Sequence, residues 1–85
     1  MGEKMPEYSY TVRAEWDAES STWVATSEDV PGLVTGADTL EELVEKLRVL
    51  VPEMLEANGV LPADAAAKAG FKVIAERVEP SRAVA

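Results

Sequence analysis

An 85-residue chain is the length of one small domain, and 47% apolar content with a mean hydropathy of −0.07 marks a globular rather than a disordered protein. The absence of cysteine and histidine excludes disulfides, thiolate chemistry, Ser–His or Cys–His catalysis and imidazole metal ligation. Sixteen acidic against eight basic residues, a formal net charge of −8, oppose contact with phosphate backbones and favour basic partners.

No apolar run approaches the roughly 20 residues of a membrane span, and the opening MGEKMPEYS contains no hydrophobic signal segment. The expectation is a cytoplasmic protein with a single domain over residues 1–85, a core from about 8 to 78, and tails at 1–7 and 79–85.

Residues Tyr8 to Trp16 alternate, with Tyr8, Tyr10, Val12, Ala14 and Trp16 on one face and Ser9, Thr11, Arg13 and Glu15 on the other. That pattern predicts a half-buried strand. The polar DAESS from Asp17 to Ser21 predicts a hairpin turn, and Thr22 to Ser27 the returning strand. There Trp23 and Val24 point to opposite faces, so both faces carry apolar side chains. EDVPG, Glu28 to Gly32, breaks the run, with Pro31 and Gly32 suited to a type II turn. Leu33 to Gly36 reads as a short third strand.

Asp38 and Thr39 are both N-cap residues, each with a glutamate three positions on (Glu41 and Glu42), so either register makes a capping box. Leu40, Leu43, Val44, Leu47, Leu50, Val51, Met54 and Leu55 form one helical stripe, and Asn58-Gly59 forms a stop. Pro52 predicts a kink or an early end to that helix. Val60 to Gly70 reads as a connector with room for one helical turn, and Phe71 to Val78 as a last strand. The order predicts a two-layer α+β fold, β-β-β-α-β, with an antiparallel sheet and one helix on one face. One helix leaves the second face uncovered, which predicts self-association as a homodimer or higher oligomer.

The strand ending in Trp16-Asp17, the string WVATSEDVPGL from Trp23 to Leu33, and ADTLEEL at the helix start together resemble the HicB-like antitoxin family. The resemblance runs over about Tyr8 to Gly59 and is closest to short stand-alone members once known only as a domain of unknown function. It implies a degenerate RNase H-like fold and binding to a small basic toxin ribonuclease of the HicA type. Full-length members carry a further DNA-binding domain of about 40–50 residues with two more helices. Residues 60–85 read instead as linker, strand and tail, so DNA binding and autorepression by this chain alone are not expected.

For partner contact the sequence nominates Asp17 and Glu19 in the hairpin turn and Glu28 and Asp29 before Pro31, with Trp23 as an anchor. A strand tryptophan is more often a core residue than an interface anchor. Asp38, Thr39 and Glu42 read as capping. No catalytic, cofactor or metal site is nominated. Two other readings compete: a self-assembling scaffold with no toxin partner, and a metal-dependent nuclease remnant using Asp17, Glu42 and Glu76.

Overall fold

A computed structural model describes residues 8–83; the predicted N-terminal tail over 1–7 and residues 84–85 lie outside that range. The elements are β1 (Tyr8–Asp17), β2 (Thr22–Thr26), β3 (Val34–Ala37), α1 (Leu40–Ala57), α2 (Ala63–Ala66) and β4 (Gly70–Glu76). They form a four-stranded sheet of order β3-β2-β1-β4 with helix on one face, the α+β architecture that the sequence predicts.

The sheet departs from the predicted one in direction. β2 is antiparallel to β1 and β3, but β4 runs parallel to β1, so the sheet is mixed rather than antiparallel. The cause is the crossover. β3 points the same way as β1, and the chain returns through α1 and α2 to the far side of β1. A crossover of that length brings the next strand back in the same direction.

Cross-strand register fixes the faces. Val12, Ala14, Trp23, Ala25, Ala37, Phe71 and Val73 face the helix. Val12, Ala14 and Ala25 are wholly buried there with Leu43, Leu47, Val51 and Leu55 of α1. These four helical residues recur at i, i+4, i+8 and i+12, as a stripe packed on a sheet requires. The opposite face mixes Val24, Val34 and Ile74 with Thr11, Arg13, Glu15, Thr26, Lys72 and Glu76.

The helix ends are as local chemistry dictates. Thr39 is the N-cap, its hydroxyl accepting from the Glu42 amide at 3.1 Å, which settles the choice between the two boxes. At the other end Gly59 has φ 69°, its amide donates to the Glu56 carbonyl at 3.0 Å, and the Val60 amide donates to Leu55 at 2.9 Å. That is a Schellman termination, which needs the left-handed residue. Pro52 neither ends nor divides α1, which runs unbroken over 18 residues. The flanking turns, anchored by buried Val51 and Leu55, outweigh the one backbone hydrogen bond that proline cannot donate. Among the described residues no helix is long and apolar enough to cross a membrane.

Leu47 is fully buried at the centre of the stripe, so Leu47→Ala should cost about 2–5 kcal/mol. Urea unfolding is the check, and a loss below about 1 kcal/mol would show that the stripe is not the core.

Candidate functional site

The sequence nominates two acidic groups, and the fold separates them. Asp17 ends β1 and Glu19 lies within the β1–β2 turn, next to which Trp16 pairs with Trp23 and Trp23 with Ala37. Glu28 and Asp29 follow the other end of β2. At about 3.3 Å per residue the five residues of that strand hold them about 17 Å apart. They form two surfaces at opposite ends of the sheet.

The hairpin end gains charge that sequence spacing does not reveal. Because Ala37 lies beside Trp23, the chain enters α1 at this end and brings Asp38, Glu41 and Glu42 beside the hairpin. Glu15 pairs with Glu76, which places the end of β4 here too. All of these carboxylates are exposed. Here Arg77 lies with its guanidinium 3.9 Å from the centre of the Trp16 ring and pairs with Glu79 at 2.7 Å. Asp38, Glu41 and Glu42 read as capping in the sequence, and capping explains only Thr39 and the local dipole. Their share in a common surface follows from strand order.

Trp23 lies on the helix face, half-buried and packed against the core, edge-on to Trp16 with ring centroids 5.6 Å apart. Asp17 uses one carboxylate oxygen locally, accepting from the Glu19 amide at 3.1 Å. Glu19 and Glu28 are exposed.

Asp29 is different. Its Oδ2 accepts from the Thr11 amide at 2.8 Å, while the Ser27 hydroxyl donates to the Thr11 carbonyl at 2.6 Å. Beyond Thr26 the β2 backbone has left the sheet, and these two side chains replace its hydrogen bonds to β1. Ser27 Oγ also accepts from the amides of Asp29 and Val30 at 3.0 and 3.1 Å, filling the hydroxyl's donor and acceptor positions. Val30 and Leu33 plug the core from the same loop. Between them Pro31 and Gly32, the latter at φ 79°, form the type II turn closed by the Leu33 amide on Val30 at 3.2 Å. The Asn58 side-chain amide donates to the Pro31 carbonyl at 3.1 Å, tying this turn to the end of α1.

Among the described residues no three carboxylates come together where they could hold a metal ion, the trio Asp17, Glu42 and Glu76 included.

The two loop acids should separate on mutation. Asp29→Ala strands the Thr11 amide and should cost about 1–2 kcal/mol, whereas Glu28→Ala should stay within about 0.5 kcal/mol. Thermal melts of the two variants make the comparison. Equal melting temperatures would show that the Asp29 bond contributes nothing.

Residues 9–84 match the family described as a domain of unknown function, DUF1902. The fold is similar to the crystal structure of hypothetical protein TTHA1013 from the extremely thermophilic bacterium Thermus thermophilus. That likeness has 44% sequence identity and a TM-score of 0.58, covering 85% of this chain and 97% of that one. No curated protein matches the chain. With the match running through all four strands and both helices, the chain belongs to the DUF1902 family.

Proposed function

We propose that this chain is a HicB-like antitoxin module that binds and neutralises a small basic toxin ribonuclease of the HicA type by protein–protein contact, and that its contact surface is the acidic hairpin end of the sheet. The observation that carries this reading is the gathering of Glu15, Asp17, Glu19, Asp38, Glu41, Glu42 and Glu76 at one end, all exposed. Supporting it are the net charge of −8 and the resemblance of the Trp16–Leu43 region to HicB-like antitoxins. A basic ribonuclease must present cationic groups to RNA. A rigid anionic surface competes for those groups and is attracted to them before contact. The chain itself is expected neither to cleave nor to bind nucleic acid.

Rigidity matters because a preorganised surface loses little entropy on binding. The carboxylates sit on strand ends, a hairpin turn and a capped helix start, where Trp23 and Leu40 pack against the core and Trp16 lies edge-on to Trp23. Partner capture would therefore need no refolding of this domain.

The test is co-expression with the small basic, histidine-containing product of a neighbouring gene, followed by pull-down and growth rescue. A stable complex with restored growth is the expected result; neither complex nor rescue would leave the self-assembling scaffold as the better reading. Within a complex, reversing Asp17, Glu19 and Asp38 to lysine should slow association about ten-fold or more at low salt. The difference should shrink as the Debye length falls from about 10 Å at 0.1 M to about 3 Å at 1 M salt. Glu28→Lys, at the far end, should change the rate much less. An equal effect from Glu28→Lys would move the contact to the Pro-Gly loop.

A further inference from the structure

The two edges of the sheet differ. At the β3 edge, only four residues long, the Gly36 carbonyl accepts from Lys46 Nζ at 2.6 Å. A lysine over an edge strand is a common way to block further pairing. β4 is seven residues long and, among the described residues, pairs on one side only, with β1.

Which backbone groups β4 turns outward follows from the ladder. Thr11 directs its amide and carbonyl to Asp29 and Ser27, on the β2 side of β1. By alternation Val12 then faces β4, and since it is paired with Val73 in a parallel ladder, it bonds the flanking Lys72 and Ile74. The outer edge of β4 therefore presents the amides and carbonyls of Phe71, Val73 and Ala75.

We propose that this edge is a homodimer interface, in which β4 pairs antiparallel with β4 of a second copy about a two-fold axis at Ile74, joining two four-stranded sheets into one. The occupant follows from charge complementarity. In a two-fold antiparallel pair a residue can only meet one of its own parity, because odd offsets would put side chains on the wrong faces. Seven such registers, centred on Gly70 to Glu76, keep strand in contact with strand, and those on Gly70 and Phe71 leave Glu76 with no residue of β4 opposite it. Centring on Lys72 sets lysine against lysine, and centring on Glu76 sets glutamate against glutamate. Centring on Val73 leaves Lys72 opposite Ile74 and Glu76 opposite Gly70, and centring on Ala75 sets Ile74 opposite Glu76. Centring on Ile74 alone places Lys72 opposite Glu76 of the second copy, twice, and brings the two Ile74 side chains together between them.

The same register makes Val73 and Ala75 of opposite copies exchange both backbone hydrogen bonds, using the groups that point outward. On the helix face the half-buried Phe71 and Val73 floor a groove of about 520 Å³ also lined by Val44 and Pro52. A second copy extends this apolar floor with its own Val73 and Ala75. Lys72 already has an interaction within its own chain, and an ammonium with three donors accommodates a cross-strand carboxylate as well. The dimer edge shares Glu76 with the hairpin end, so the experiment reads dimerisation of this chain alone, with no toxin present, and its failure is distinct from a failure of toxin binding.

The experiment uses the full chain and sedimentation equilibrium. The wild-type protein should be dimeric at high micromolar concentration. Lys72→Glu and Glu76→Lys each turn two attractive cross-strand pairs into repulsive ones, and each should raise the dimer dissociation constant on the order of ten-fold. Mixed in equal amounts, the two variants should regain wild-type affinity as a heterodimer, because both cross-strand pairs become attractive again. Misfolded variants would not rescue each other. A monomeric wild type, single variants that dimerise as the wild type does, or a mixture without recovery would each overturn the proposal.

Discussion

The packing of one helix against small residues of a sheet governs the rest of this molecule. Leu43, Leu47, Val51 and Leu55 descend onto Val12, Ala14, Ala25 and Ala37, all buried. Ala14 and Ala25 are direct cross-strand neighbours, so the floor beneath the helix is low and leucines fill the space above it. Packing density of the usual interior kind then needs large residues on one layer and small ones on the other. Enlarging the alanines would push the helix away, and trimming the leucines would leave voids.

The same packing explains what is left open. Four strands spaced about 4.8 Å apart place the outer two about 14 Å from each other, and a helix with its side chains is about 10–12 Å across. Here α1 lies nearest β3 and β2. β4, at the far side, keeps Phe71 and Val73 only half-buried, and α2 is too short, at four residues, to cover them. The open groove is thus a consequence of sheet width against helix width.

How much of this was legible in the sequence depends on the range of each interaction. Thr39 with Glu42, the Asn58-Gly59 stop, the Pro31-Gly32 turn and the alternation of β1 are local, and each is visible within a few residues. The bonds from Ser27 and Asp29 to Thr11 span 16 and 18 residues. Nothing near Asp29 marks it as the substitute for a missing strand pair, so it reads as one more surface acid. The parallel direction of β4 is hidden for a similar reason, since it depends on the path of the crossover and not on the residues of the strand. Val30 looks like loop sequence and proves fully buried, because the type II turn folds the chain back under α1.

The Trp23–Leu33 string is the most distinctive part of the sequence, and most of its residues are occupied by the fold. Trp23, Ala25, Val30 and Leu33 pack in or against the core, Ser27 and Asp29 hold β1, and Pro31 and Gly32 turn the chain. A string whose residues are occupied in this way marks a shared fold more directly than a shared partner. Surface charge is where partners are chosen, and it is set by a different part of the chain. The order of strands brings Asp38, Glu41 and Glu42 to the hairpin, although they are some 20 residues from it in sequence. Helix N-termini favour carboxylates on dipole grounds alone, so these residues stabilise α1 whether or not anything binds. Carboxylates placed for the helix are therefore also available for recognition, and their use in binding asks for no sacrifice of stability.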